Sequence, residues 1–199
     1  MVISAVNRHL GIMGGSFNPI HYGHLRVASD AKQRLALDSM CIMPAAQSPL
    51  KAEHSVSAQH RLAMLDLALT EFPELQLDTR ELERKGPSLT ADSLQALRQE
   101  MGNDATIYCL IGDDLLHTLN RWSRGRTLTD HAQLVVVNRP GKFVSIPTEV
   151  TAWWREREMP LPSLSSLPLG RVSRLECSLV DVSSSEITIS TGSVSEAHL

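Results

Sequence analysis

Residues 11–28, GIMGGSFNPIHYGHLRVA, carry an apolar segment into two glycines, Gly14 and Gly15, and then into a helix-like pattern that begins near His21. The run before the glycines, HLGIM, reads as a buried first strand. After them, Leu25, Ala28, Ala31 and Leu35 recur at helical spacing, with Arg26, Lys32 and Arg34 mostly off that face. The glycine pair is expected to break the strand. In an open parallel sheet, ligands sit beyond the carboxyl ends of the strands, where strand order reverses, and a first strand feeding a helix through glycines is a candidate for that place. Glycine lets the backbone come close to a ligand, and the N–H groups at the following helix N-terminus attract anions. His21 and His24 stand three apart, which puts both imidazoles on one side of a helix start, where they can donate to an anion. The spacing by itself also allows a turn with one capping and one surface histidine. The patterns GxxxxGK[ST] and GxGxxG are absent, so the P-loop and the dinucleotide fingerprint both fail.

The rest of the chain repeats the alternation of short apolar runs with helical periodicity. SMCIMP is a second strand ended by Pro44, and SAQHRLAMLDLAL a helix with Leu62, Leu65 and Leu69 at 3–4 spacing. LQLD is a short strand. LTADSLQALRQEM is a third helix, with Thr90 as its N-cap and Asp92 at its positive end. ATIYCLI and QLVVV are nearly all apolar and rich in β-branched residues, as strands covered on both faces should be. The Pro/Ser/Leu-rich residues 160–170 read as a loop, and SLVDV as a last strand. The pattern predicts an α/β fold, Rossmann-like and doubly wound, with a mainly parallel sheet and helices on both faces.

The 199 residues suit one domain. A net charge of −3 gives no general pull toward nucleic acid, so phosphate contacts must be local. Cys41, Cys109 and Cys177 are far apart, and the first two lie in apolar runs, so buried free thiols are expected. Asn7, Arg8 and His9 interrupt the apolar N-terminus, which is a poor signal peptide, and no apolar run approaches the roughly 20 residues that span a bilayer. A cytoplasmic location is the default expectation. Composition says nothing of oligomeric state.

GGSFNPIHYGH resembles the (T/S)FxPxHxGH signature of the nucleotidyltransferase superfamily. RELERKGPSLT, IGDDLLHTLNRW, LVVVNRPG and DVSSSEI follow in the order and character of bacterial nicotinate mononucleotide adenylyltransferases, so the resemblance covers most of the chain. It implies attack of nicotinate mononucleotide on the α-phosphate of ATP, giving deamido-NAD and pyrophosphate. By the same resemblance His21 and His24 contact the ATP phosphates, and Gly14, Gly15, Ser16 and Phe17 form the backbone cradle. Lys51 lies over the triphosphate, Asp114 near the nucleotide ribose, and Ser184 and Ser185 present hydroxyls and N–H groups to phosphate. Trp122 stacks on the pyridine ring, while Thr90 and Arg139 are further substrate contacts. Mg²⁺ arrives with the triphosphate, so no dedicated cluster of protein carboxylates is expected.

Four positions depart from the pattern. Ala45 and Leu50 replace the usual Asn and His, Leu89 replaces an aromatic, and Thr188 stands where an arginine is usual. A threonine hydroxyl does not reproduce arginine's fixed charge and forked donors. The domain is expected to span 1–199, with a short or diverged segment from about 183. These departures leave open the same chemistry on nicotinamide mononucleotide or phosphopantetheine, and a nucleotide-binding protein with impaired catalysis.

Overall fold

A computed structural model describes residues 8–46, 56–84, 86–138, 145–166 and 168–177. Six strands form one sheet in the order β3-β2-β1-β4-β5-β6, with every neighbouring pair parallel. They are β1 His9–Gly15, β2 Ser39–Pro44, β3 Leu75–Leu77, β4 Thr106–Gly112, β5 Gln133–Val137 and β6 Val172–Leu175. The helices are α1 Tyr22–Arg34, α2 Ala58–Leu69, α3 Arg80–Glu83, α4 Thr90–Met101 and α5 Thr148–Arg155. The segments Asp113–Arg121, Gly125–Asp130 and Leu161–Ser166 wind as 3₁₀ helices.

Alternate residues of each strand feed two cores. Leu10, Ile12, Cys109 and Ile111 pack with α4 and α5 on one face. Met13, Met40, Ile42, Tyr108 and Leu110 pack with α1 and Leu65 of α2 on the other. This double coverage explains why the strands are apolar without alternation. Gly11 lies where the cover is tightest. A Cβ there would stand 2.4 Å from the Met40 sulfur and 2.5 Å from Leu37 Cδ1, so any larger residue requires both of these side chains to shift.

The chain winds β1-β2-β3 outward on one side and returns to place β4 on the other side of β1. The switch point therefore falls between the carboxyl ends of β1 and β4. Two expectations need correction, and a third, the SLVDV strand, falls outside the described residues. The strand runs through the glycine pair, with Gly14 opposite Met43 and Gly15 opposite Pro44, because a parallel partner holds glycine extended as well as any residue. The last described strand is Val172–Leu175, ahead of SLVDV. Residues 160–170 are not all loop, since Leu161–Ser166 makes a 3₁₀ turn. All three cysteines are buried free thiols. Among the described residues no helix is long and apolar enough to cross a membrane.

Candidate functional site

The glycines, the histidine pair and the start of α1 are consecutive, and the fold delivers them to the switch point. His21 is the N-cap of α1 with extended backbone, and His24 lies in the first turn. Their ring centroids are 3.7 Å apart at an interplanar angle of 33°. The first turn holds no acidic residue, whereas Lys32 and Arg34 occupy the last turn. The positive end of this 13-residue helix thus meets no carboxylate of its own first turn and has two imidazoles beside it, an arrangement that suits an anion.

Phe17 is buried and sits at φ 44°, in the left-handed region that costs a non-glycine residue about 1–2 kcal/mol. Its ring meets the His24 ring edge-on at 5.2 Å and lies over Gly15, where a Cβ would come within 3.0 Å of it. The Phe17 side chain thus supports His24 from within the protein. Gly14 is open by comparison, the nearest atom to a Cβ being the Met43 carbonyl oxygen at 4.0 Å.

A second layer behind the loop went unread in the sequence. Arg61 of α2 is 1% exposed and donates from Nη1 to the Ser16 carbonyl (2.6 Å) and from Nη2 to the Ala46 carbonyl (3.3 Å). Ala45 N donates to the Gly15 carbonyl at 2.8 Å, and Ala46 N to Ser88 Oγ at 2.8 Å. Glu81 accepts from Ser93 Oγ at 2.6 Å and also bonds Ser88; burial pushes its carboxyl above the usual range, against those hydrogen bonds. The available signal was positional: Arg61 stands one turn before Leu65, on the face that the core buries. Leu62 and Leu69, expected to share that face, are only half-buried.

Asp114 follows the carboxyl end of β4, beside β1 in the sheet, and so belongs to the same switch point. Thr90 is the first residue of α4 and not its cap. Leu89 holds the N-cap position, with no side-chain cap and its carbonyl accepting from Asp92 N and Ser93 N. Asp92 is in the first turn, as expected, and pairs there with Arg124. That ion pair ties the start of α4 to the chain just after Trp122. Trp122 is half-buried against the core and donates from Nε1 to Thr118 Oγ1 at 3.1 Å, so its polar edge is satisfied within its own turn. A cavity of about 230 Å³ opens beside it, lined also by Asn120, Arg124 and Arg126. Lys51, Arg139, Ser184 and Ser185 lie outside the described residues, as do Leu50 and Thr188.

The model of the cytidylyltransferase-like family matches residues 12–191 of the chain. The chain belongs to that family. Among curated relatives, a protein of Laribacter hongkongensis named "Probable nicotinate-nucleotide adenylyltransferase" is 40% identical over 180 residues, covering 89% of this chain and 81% of its own length. A protein of Cellvibrio japonicus with the same name is 38% identical over 178 residues, covering 89% and 84%. The nicotinic acid mononucleotide adenylyltransferase of Plasmodium falciparum, solved in complex with NaAD, superposes with a TM-score of 0.65 over 89% of this chain and 80% of that one. At 18% identity that likeness is one of fold.

Within this cytidylyltransferase-like chain, two of the departures have a place in the structure. Ala45 is buried and holds the strand-end loop through its backbone, and Leu89 caps α4. Membership of a nucleotidyltransferase family implies a divalent metal that accompanies ATP. Among the described residues, no three His, Cys, Asp or Glu side chains gather as a metal site.

Proposed function

We propose that this chain transfers the adenylyl group of ATP to nicotinate mononucleotide, releasing pyrophosphate and forming deamido-NAD for NAD biosynthesis. The names of the relatives support the activity, and the close His21–His24 pair, at a helix N-terminus with no acidic residue in its own first turn, supports the site. A phosphate oxygen of the acceptor attacks the α-phosphorus. One P–O bond forms, and the bond to the bridging oxygen of the β-phosphate breaks, with the electron pair leaving on pyrophosphate. The nucleophile is already an anionic oxygen, so no general base is needed, and catalysis rests on positioning and charge stabilisation. His24, braced by Phe17, donates to the charge that develops on the α-phosphate, and His21 assists. A well-aimed donor of this kind contributes about 3 kcal/mol.

Gly14, Gly15 and Ser16 bring backbone against the phosphates, and Mg²⁺ enters as part of the substrate, MgATP. Asp114 takes the ribose. Thr90 and Trp122 hold the acceptor, joined across the Asp92–Arg124 pair. The resemblance assigns Lys51, Ser184 and Ser185 to phosphate and Arg139 to substrate. The test is pyrophosphate release from MgATP with nicotinate mononucleotide, nicotinamide mononucleotide and phosphopantetheine in parallel. Preference for the first is expected. Turnover with none of the three by the folded protein overturns the proposal, and preference for another moves it to that acceptor.

A further inference from the structure

Two arginines are buried in the described structure, and they are spent differently. Arg98 closes the end of α4, donating to the carbonyls of Gly102, Ala105 and His131. Arg61 reaches two carbonyls, those of Ser16 and Ala46, and its Nε has no partner among the described residues. No carboxylate among those residues pairs with it, unlike Arg80, which lies between Asp78 and Glu100. Burying a guanidinium without a counter-charge is costly. Among the described residues, Arg61 stands in that position directly behind the loop that follows the glycine pair.

The two carbonyls belong to neighbouring strand ends, Ser16 after β1 and Ala46 after β2. The constraint runs on, because Ala46 N donates to Ser88 Oγ in the loop that leads to Thr90. We propose that Arg61 is a positioning residue for the nucleotide phosphates, locking the two strand-end loops together and lending a buried positive charge to an anion held in front of them. The proposal rests on the ATP site at His21 and His24, but not on which acceptor is used. A guanidinium suits the task because its rigid fork spans two carbonyls, which an ammonium does not do as well. Loops fixed before the ligand arrives do not lose their freedom on binding.

The experiment compares binding of ATP and of adenosine, which lacks the phosphates, to wild type, Arg61→Lys and Arg61→Met well below their unfolding midpoints. ATP affinity is expected to fall about tenfold in Arg61→Met, the scale of one charge-assisted hydrogen bond. It should fall less in Arg61→Lys, which keeps the charge and loses the fork. Adenosine affinity stays within about twofold, since positioning acts on phosphate alone. Equal losses for ATP and adenosine, or unchanged ATP affinity in folded Arg61→Met, overturn the proposal. If Arg61→Met does not fold, Ser88→Ala, which removes the acceptor of Ala46 N, carries the same comparison and the same criteria. A wild type that binds no ATP overturns the functional reading as well, whereas variants that bind ATP like an active wild type overturn this proposal alone.

Discussion

Replacing Gly15 by alanine probes the support beneath the histidine pair. The added Cβ would stand 3.0 Å from two atoms of the Phe17 ring and 3.3 Å from a third. Ordinary carbon contacts begin near 3.5 Å, so the ring must retreat by about half an ångström. It cannot do so freely, being buried and held at φ 44° with the His24 ring against its edge. Overpacking of this kind costs about 1–3 kcal/mol. In a chain of 199 residues each kcal/mol lowers the unfolding midpoint by about 2–4 °C, so a drop of about 2–12 °C is expected. The displacement passes to His24, and since a misplacement of about 1 Å can cost 10²-fold in rate, kcat should fall about tenfold. Gly14→Ala is the control. Its Cβ has open space within the protein, so the midpoint should hold while KM for ATP rises, because the methyl enters the space given to phosphate. Thermal unfolding with steady-state pyrophosphate release measures both variants. If Gly15→Ala keeps the wild-type midpoint and kcat, or if Gly14→Ala loses as much stability, the chain of contacts from Gly15 through Phe17 to His24 is refuted.

His24→Ala should lower kcat by about 10²–10³-fold, the loss of one transition-state donor, with a native far-ultraviolet spectrum; near-normal turnover would remove His24 from the reaction. Trp122→Ala should raise KM for the acceptor about tenfold and leave KM for ATP alone, with Trp122→Phe intermediate; a change in the ATP value instead would refute acceptor stacking. The thiols should be inert. Burial disfavours the thiolate and pushes Cys177 up to about 11 and Cys41 and Cys109 up to about 12. At pH 8 about one Cys177 in a thousand is then ionised, and its labelling by a disulfide reagent should quicken about tenfold per pH unit up to 10; rapid labelling of the native protein at pH 8 would contradict that burial.

What the sequence disclosed, and what it withheld, follows the range of the interactions. The strands Ser39–Pro44 and Gln133–Val137 are apolar throughout and stand at the bounds their runs suggest. The face of α1 carrying Leu25, Ala28 and Ala31 is buried as its spacing implies. The short α3, the 3₁₀ segments and α5 escaped notice because a turn or two gives periodicity too little length. Strand β6 went unread because it has only four residues. It carries the exposed Arg174, whose guanidinium stands over the Trp154 ring at 4.8 Å, and so it looks less strand-like than SLVDV.

The site divides in the same way. Gly14 through His24 were legible together because they are joined covalently, and a turn into a helix brings them side by side whatever the rest of the fold does. Arg61 meets Ser16 across 45 positions, and Arg124 meets Asp92 across 32. No local pattern encodes those meetings. A charged residue in a helix is ordinarily exposed, so nothing marked Arg61 for attention until the fold placed two carbonyls in front of it. A sequence motif of this kind therefore names the atoms that gather at the switch point. The groups that decide how firmly those atoms are held lie a layer behind, and they emerge only when buried charges are traced to their partners.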